Sequence, residues 1–189
     1  FQPELRSILE KLGHSKVGKL IDITAGGTDA REYAISEITK AAHNLSKTKT
    51  GALIVMERET KLGDVIKTGT LINAEASSAL LENIFVPNTP LHDGAVIIRG
   101  DRIHTAGCFL PLTSNSNLSR ELGTRHRAAL GISEASDAVV VIVSEETGKI
   151  SIAINGTLTR NLSEETLKVA LNKAFARENE KVRFWRSDK

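Results

Sequence analysis

The sequence predicts a single α/β domain in which helices flank a central mixed β-sheet. A chain of 189 residues, 40% of them hydrophobic and 25% charged, has the size and composition of one ordinary globular domain. Short apolar runs rich in β-branched residues alternate with segments of helical periodicity. We expect one domain over residues 1–189, with a core at about 20–176 and a loose polar tail at 177–189.

Five segments have the periodicity of helices. The first is short and covers residues 3–12. A turn is expected at Gly26-Gly27, because glycine disfavours helix interiors, and Thr28 can then cap a long amphipathic helix. Further helices are predicted over 77–85, after Thr124 and from Ser163. Their apolar stripes would cover the sheet.

Five runs have the length and composition of strands. The run Leu53-Ile54-Val55-Met56 is apolar at every position, which is typical of a central strand buried on both faces. The run containing Ile150, Ile152 and Ile154 alternates these residues with Ser151 and Ala153, as strands do. The predicted strands cover residues 53–56, 95–98, 102–106, 138–143 and 150–154.

The net charge and the cysteine count indicate which kinds of partner and which cellular setting the protein is expected to have. The formal net charge is +2 and the charges are interleaved, so the sequence predicts neither nucleic-acid binding nor a basic membrane-binding face. Cys108 is the single cysteine and cannot form an internal disulfide, which favours a reducing, cytoplasmic setting. No run of eighteen apolar residues and no signal peptide is present. The chain begins at Phe1, and we expect it to be a piece of a longer protein.

The first candidate site is the start of a predicted helix at Gly123-Thr124-Arg125-His126-Arg127. With Thr124 as the expected cap, the first turn carries two arginines and a histidine at the positive end of the helix dipole, where acids are favoured. Glu134 and Asp137 reverse the preference at the other end. The charges of this helix are therefore placed against its dipole.

Two interpretations of this charge pattern remain open. A phosphate bound at the helix N-terminus would relieve the mismatch, because free N–H groups and arginines would converge on it. In the alternative, Arg125 pairs with Glu121 four residues earlier and His126 is a surface residue.

The second candidate site is His92-Asp93-Gly94-Ala95, directly before a predicted buried strand. The carboxylate of Asp93 could hold a metal ion or accept a proton there. Gly94 and Ala95 are small enough for a ligand to approach the backbone. The alternative is an ordinary Asp-Gly turn.

The third candidate site is the loop Ser144-Glu145-Glu146-Thr147-Gly148, between two predicted strands. A hairpin loop with Gly148 at positive φ accounts for it without any function. In the functional interpretation, the two adjacent acids orient arginines or a metal ion near the phosphate site.

Together, Asp93-Gly94-Ala95 and Arg125-His126-Arg127, about thirty residues apart, resemble the paired DGA and RHR signatures of the diadenylate cyclases. The surrounding residues 90–98, 121–129 and 143–148 are similar to the membrane-associated, CdaA-type bacterial form. The similarity is strong over about 86–160 and covers most of the remainder, including 51–58. It implies the DAC fold and a nucleotidyltransferase that joins two ATP molecules into cyclic di-AMP, releasing two pyrophosphates.

The resemblance also implies an assembly and its partners. Two protomers would meet face to face as a homodimer, each holding one ATP, so that neither cyclises alone. A divalent metal ion is implied, with Mn²⁺, Mg²⁺ and Co²⁺ as candidates. Full-length members carry transmembrane helices before the catalytic domain, which implies a cytoplasmic domain tethered to the bacterial membrane. A regulator protein and phosphoglucosamine mutase are implied partners.

Residue roles follow from the same resemblance. The implied catalytic residues are Asp93, Arg125, His126 and Arg127. Asp93 would hold the metal ion or help to deprotonate the 3′-hydroxyl group, with His92 as a second metal ligand. The implied substrate-binding residues are Gly94, Ala95, Phe109, Leu110, Gly123, Thr124, Ser144 and Glu145. Phe109 would stack on adenine and Leu110 would offer backbone hydrogen bonds.

Two other hypotheses remain open. The chain could be a catalytically silent sensor that binds ATP or a cyclic dinucleotide in the same pocket. It could also be an interaction module whose arginine cluster contacts an acidic partner, in which case ATP would not stabilise it against unfolding.

Overall fold

The computed structural model describes the backbone of residues 16–115 and 122–187 and the side chains of residues 30–115 and 122–176. Within these residues the helices and strands are, in chain order, α1 (Lys16–Lys47), β1 (Ala52–Met56), α2 (Gly63–Ile66), β2 (Thr70–Glu75), α3 (Ser78–Ile84), β3 (Ala95–Arg99), β4 (Arg102–Cys108), α4 (Thr124–Ala135), β5 (Val139–Val143), β6 (Ile150–Ile154), β7 (Thr157–Leu162) and α5 (Glu164–Ser187). The predicted α/β class is confirmed. The helix predicted at 3–12 lies outside the described residues.

A seven-stranded sheet has the strand order β2-β4-β3-β1-β5-β6-β7. β1 and β3 are parallel, with Ile54 beside Val96, and the other neighbouring strands are antiparallel. The chain between these two parallel strands, which contains α2, β2 and α3, makes the crossover that a parallel pair requires. The mixed sheet is thus confirmed, and β1 lies at its centre as predicted.

Alternate residues of β1 enter two separate cores, which is why the strand is apolar at every position. Ile54 belongs to the core on one face, together with Leu81 of α3 and Leu171 of α5. Leu53 belongs to the core on the other face, together with Ala129 of α4. Burial of a large aliphatic side chain contributes about 1.5–3 kcal/mol, so both helical layers are held firmly against the sheet.

The two edge strands, β2 and β7, are absent from the sequence prediction. Most residues of Thr70–Glu75 and Thr157–Leu162 are exposed, and neither strand has the apolar pattern that identifies a buried strand. An edge strand is paired on one side only, and polar side chains there discourage association with other chains. Their strand structure therefore comes from pairing with β4 and β6.

Two helices are longer than predicted. Helix α1 runs without interruption through Gly26-Gly27, so the expected turn and the cap at Thr28 are wrong. An interior glycine costs a helix about 1 kcal/mol relative to alanine, which disfavours the helix but does not forbid it. Helix α5 continues to Ser187, where a loose tail was expected. No helix within the described residues is both long and apolar enough to cross a membrane.

Candidate active site

The candidate segments come together at one edge of the sheet, namely the edge that is formed by the ends of the central strands and not by an edge strand. The parallel strands β1 and β3 both begin at this edge, so their antiparallel neighbours β5 and β4 end there. Ala52 at the start of β1 pairs with Val143 at the end of β5, and Ala95 at the start of β3 pairs with Cys108 at the end of β4. The loops that carry Asp93, Phe109 and Ser144 therefore converge.

A cavity of about 580 Å³ lies at this edge. The predicted site residues in its wall are Asp93, Gly94, Phe109, Leu110, Gly123, Thr124, Arg125, His126, Ser144 and Glu145. Three predicted residues are not in the wall: Ala95 is buried at the start of β3, Arg127 is exposed on α4 and His92 is half-buried. The volume is within the range of about 300–1,000 Å³ that is usual for small-molecule sites.

The wall also contains Glu146 of the third candidate site and five residues that were not predicted: Leu53, Cys108, Leu112, Ala128 and Val143. Most of them are apolar, and they give the cavity a hydrophobic side. Cys108 and Val143 directly precede Phe109 and Ser144 in the sequence, which is the signal that could have identified them. Burial raises the pKa of the Cys108 thiol to about 11, so it stays protonated and inert.

The N-terminus of α4 is open towards the cavity. The cap residue is Gly123, not Thr124 as predicted, and no side-chain capping hydrogen bond is present among the described residues. The first N–H groups of a helix have no intrahelical acceptor, and a glycine cap has no side chain that could accept from them. The N–H groups of Thr124 and Arg125 are therefore available to a ligand. The first turn contains no acid, in agreement with the predicted reversal of charge. Geometry and charge at this helix end both favour an anion.

The two acids at the far end of α4 have partners that the sequence did not suggest. Glu134 accepts a hydrogen bond of 2.8 Å from the hydroxyl group of Thr113. The carboxylate of Asp137 accepts hydrogen bonds from the backbone N–H groups of Glu59 and Thr60. Their placement is thus explained by neighbouring loops, whereas the basic residues at the N-terminus of α4 remain placed against the helix dipole.

Arg125 forms an ion pair with Glu145 of the loop after β5. The alternative partner, Glu121, lies outside the described residues. The Arg125 side chain is 22% exposed and that of Glu145 is 64% exposed. The Nε atom of Arg125 is buried and has no hydrogen-bond acceptor within the described residues. The guanidinium group is therefore held in the cavity wall, and it has N–H groups left to donate to a ligand.

His126 is 6% exposed, so its interpretation as a surface residue is wrong. Burial lowers the pKa of its imidazole, and the positive charge of Arg160 lowers it further, while Glu146 opposes the shift. The imidazole is neutral at neutral pH and can donate one hydrogen bond into the cavity.

The turn before β3 has a shape that only glycine permits. Gly94 has φ of +98°, and a Cβ atom there would lie 2.6 Å from the carbonyl oxygen of Cys108. This geometry exposes the neighbouring Asp93 at the cavity wall. Asp93 thus belongs to a turn and to the cavity, so the two interpretations of the second candidate site are compatible.

These residues can be compared with the needs of a divalent cation. The described residues contain no group of three or more His, Cys, Asp or Glu side chains that could hold a metal ion. Magnesium-like cations in nucleotide sites commonly take one or two carboxylates and complete their shell with phosphates and water, and the exposed Asp93 fits that arrangement. His92 has its Nδ1 2.6 Å from the carbonyl oxygen of Thr89, so Nδ1–H donates and Nε2 is the nitrogen left for a cation.

Phe109 stands at the mouth of the cavity, and 67% of it is exposed. Its backbone N–H donates a 3.0 Å hydrogen bond to the hydroxyl oxygen of Thr68. The ring is therefore held by its backbone while its face is free to contact a ligand.

The loop from Ser144 to Gly148 is a hairpin turn that also borders the cavity. Gly148 has φ of +72°, as predicted, and its N–H donates to the carbonyl oxygen of Ser144 at 2.8 Å. The hydroxyl group of Ser46 in α1 donates to the carbonyl oxygen of Gly148 at 2.6 Å. The loop that carries Glu145 is therefore anchored to α1.

Comparison with known proteins identifies relatives over the whole chain. The DAC model, described as DisA bacterial checkpoint controller nucleotide-binding, matches residues 39–158. The chain is 48% identical to cyclic di-AMP synthase CdaA of Bacillus subtilis, covering 100% of this chain and 70% of that protein. It is 51% identical to a diadenylate cyclase of Listeria monocytogenes, covering 92% of this chain and 63% of that protein. The chain thus spans about two thirds of these relatives.

Two solved structures are similar in fold. The first is a double cysteine mutant of DacA from Staphylococcus aureus, with a TM-score of 0.74 and 49% identity, covering 76% of this chain and 96% of that one. The second is a hypothetical membrane spanning protein from Bacillus cereus, with a TM-score of 0.65 and 42% identity, covering 83% of this chain and 84% of that one.

Proposed function

Because the chain belongs to the diadenylate cyclase family, we propose that it condenses two ATP molecules into cyclic di-AMP and two pyrophosphates. One observation carries the proposal. The Asp93-Gly94 turn, the arginine-bearing start of α4 and the Ser144-Glu145 loop are distant in sequence, yet they line one cavity. A nucleotide needs all three segments, because its phosphates, its metal ion and its ribose each require different protein groups.

The size of the cavity supports a dimeric enzyme. A volume of about 580 Å³ suits one nucleotide, whereas the reaction consumes two. The second ATP is therefore supplied by a second protomer that meets the first face to face. Holding both reactants in line can recover about 7–11 kcal/mol of the barrier, so the dimer is part of the catalyst.

The reaction consists of two equivalent transfers. In each, the 3′-oxygen of one nucleotide forms a bond to the α-phosphorus of the other, and the bond from that phosphorus to the β-phosphate oxygen breaks. The electron pair leaves with pyrophosphate, and the 3′-hydroxyl proton passes to the carboxylate of Asp93 or to water. Two such transfers close the ring.

The start of α4 is the phosphate-binding end. Arg125 and Arg127 supply positive charge, and the first N–H groups of the helix are available to phosphate oxygens. The neutral His126 donates a hydrogen bond. Because negative charge accumulates on the departing pyrophosphate, these groups stabilise the transition state more than the substrate. Arg125 exchanges Glu145 for phosphate when ATP binds.

Asp93 would be the first protein ligand of a divalent cation, and His92 would be the second. The cation would neutralise phosphate charge during transfer. Mn²⁺ and Mg²⁺ are the leading candidates, and Co²⁺ is the third. Because the described residues contain no group of three or more His, Cys, Asp or Glu side chains suited to a metal ion, ATP phosphates and water would supply the remaining ligands.

The hydrophobic side of the cavity receives the base. Phe109 offers an exposed ring for stacking, and Leu110 offers backbone groups to the adenine edge. Gly94 borders the ribose, and the buried Ala95 follows it at the start of β3. Gly123, Thr124 and Ser144 complete the phosphate side.

Asp93→Asn tests the proposal directly. The purified chain is incubated with ATP and either Mn²⁺ or Mg²⁺, and the nucleotides are separated by chromatography. We expect cyclic di-AMP from the wild type and at least a 100-fold lower yield from the variant, because asparagine neither accepts the proton nor binds the cation as strongly. The melting temperature should be unchanged.

Asp64→Asn is the matched control, since this carboxylate is exposed on α2 and away from the cavity. It should retain full activity. Wild-type turnover by Asp93→Asn would remove Asp93 from the mechanism. ATP binding without any product from the wild type would favour the sensor hypothesis. Absence of both binding and product would favour the interaction module.

We also propose that the whole protein is tethered to the bacterial membrane, with residues 1–189 as one cytoplasmic catalytic domain. The similar structure from Bacillus cereus, described as membrane spanning, supports this. A regulator protein and phosphoglucosamine mutase are proposed partners from the family resemblance. Fractionation and co-purification of the full-length protein test both points, and recovery in the soluble fraction alone would refute the tether.

A further inference from the structure

Gly51, between α1 and β1, is a buried glycine that none of the site motifs contains. Its φ lies outside the left-handed range, so its backbone conformation does not require glycine. A Cβ atom at this position would lie 2.7 Å from Nη1 of Arg125 and 2.9 Å from Oε2 of Glu145. The space that a side chain would need is therefore filled by the ion pair.

We propose that Gly51 is a positioning residue for the phosphate-binding arginine. Its missing side chain leaves the room in which the guanidinium group of Arg125 lies in the cavity wall. The inference rests on the proposed function, because it assigns Arg125 to ATP phosphates. Gly51 itself touches no reacting atom and acts through Arg125.

The surroundings of Gly51 are held in place from two sides. The N–H of Thr50 donates a 2.9 Å hydrogen bond to the carbonyl oxygen of Leu45, which attaches this segment to the end of α1. The hydroxyl of Ser46 holds the loop of Glu145 to the same helix end. A new side chain at position 51 cannot retreat, so the ion pair must move.

Arg125 is sensitive to such a neighbour. Its Nε atom is buried without an acceptor within the described residues, so no hydrogen bond fixes that part of the side chain. The guanidinium group is held by its ion pair with Glu145 and by the shape of the wall. An added methyl group at position 51 would change both.

Other glycines show how different this position is. A Cβ atom at Gly94 would meet the backbone of Cys108, and one at Gly131 would meet the backbone of Pro111 and Leu112. Alanine at those positions would strain the fold. At Gly51 the nearest atoms are the ends of two flexible side chains, which can shift at low cost. Alanine there should spare the fold and impair phosphate binding.

The experiment compares Gly51→Ala with Gly63→Ala, a matched control at which no atom lies within 4 Å of the added Cβ. Thermal unfolding without ligand and the kcat and KM of cyclic di-AMP formation are measured on the full chain. We expect Gly51→Ala to unfold within about 2 °C of the wild type. Its kcat/KM should fall about 10- to 100-fold, the loss expected for a charge-assisted contact. Gly63→Ala should match the wild type in both.

A double-mutant cycle separates positioning from a general structural effect. Lysine at position 125 has no guanidinium group to displace, so Gly51→Ala should reduce kcat/KM less than about threefold in the Arg125→Lys background. Equal losses in the two backgrounds would overturn the proposal. So would wild-type kcat/KM in Gly51→Ala, or a fall in melting temperature with unchanged activity per folded molecule.

Failure of the proposed reaction is distinguishable from failure of this inference. If the wild type binds ATP but forms no cyclic di-AMP, the same variants are compared by calorimetric titration with ATP. At least tenfold weaker binding by Gly51→Ala then supports the positioning role, and equal binding refutes it. If the wild type neither binds ATP nor reacts, both proposals fall.

Discussion

Two arginine–carboxylate pairs lie at opposite ends of the central strand β1. Beyond its C-terminal end, the side chain of Glu57 is 1% exposed and accepts hydrogen bonds from Arg99, Lys61 and the N–H of Leu62. At its N-terminal end, Glu145 is 64% exposed and pairs with Arg125. The first carboxylate is saturated with donors, whereas most of the second faces solvent.

This difference separates an architectural pair from an exchangeable one. Removing Arg99 leaves the buried carboxylate of Glu57 with only Lys61 and the N–H of Leu62 as donors among the described residues, which is destabilising. An exposed pair contributes only about 0–1 kcal/mol, so Arg125 can give up Glu145 for a phosphate at little cost to the fold. The same two chemical groups therefore serve stability at one end and, under the proposed function, ligand binding at the other.

Arg125→Ala should have the largest effect on function. We expect kcat/KM for cyclic di-AMP formation to fall about 10²- to 10³-fold, as when an enzyme loses one donor to developing negative charge. The melting temperature without ligand should change by less than about 3 °C, because the Glu145 carboxylate is mostly exposed and is solvated by water when Arg125 is removed. A large loss of stability in this variant would contradict the comparison, since it would make Arg125 architectural too.

Arg99→Ala is the matched substitution at the other end of the strand. It removes two hydrogen bonds from the buried carboxylate of Glu57, and we expect a loss of about 2–3 kcal/mol in the free energy of unfolding. The melting temperature should fall by about 5–10 °C. Activity per folded molecule should stay within about twofold of the wild type. Loss of activity with unchanged stability would reverse the assignment.

The smallest expected effect is a difference in the response of the two ends to acid. At the site, burial lowers the pKa of His126, so the folded protein binds this proton less readily than the unfolded chain does. Stability should therefore begin to fall as the pH drops through the ordinary histidine pKa of about 6.5. His126→Gln should remove that part of the pH dependence of the melting temperature.

At the opposite end of β1, the pH range over which stability changes is more acidic. Burial alone would raise the pKa of Glu57, but hydrogen bonds from Arg99, Leu62 and Lys61 outweigh it and hold the pKa below its usual value. Its contribution to stability is present above the pKa of the unfolded chain and is lost as the pH falls through the lowered folded value. Glu57→Gln should flatten the plot of melting temperature against pH only in this more acidic range. A single transition shared by both variants would show that the two ends do not titrate separately.

The fold and the site were predictable wherever the signal is local. The strand at Ile54 is apolar on both faces, and the helix at Arg125 carries charges against its own dipole, so neighbouring residues identify both. The edge strand at Thr70–Glu75 has no such signal, because its pairing with β4 creates it. At Gly26-Gly27 the local signal predicted a turn, but the helix continues, since a local preference of about 1 kcal/mol per glycine is easily overridden.

By itself, the sequence determined the α/β class, the central strand and the motifs around Asp93 and Arg125. Composition, periodicity and charge placement are properties of residues close together in the chain. Only the tertiary structure decided that Arg125 pairs with Glu145, that Gly51 leaves room for that pair, and that Leu53 and Val143 line the cavity. These contacts depend on which strands are neighbours and where each one ends, and strand order is set by packing over the whole sheet.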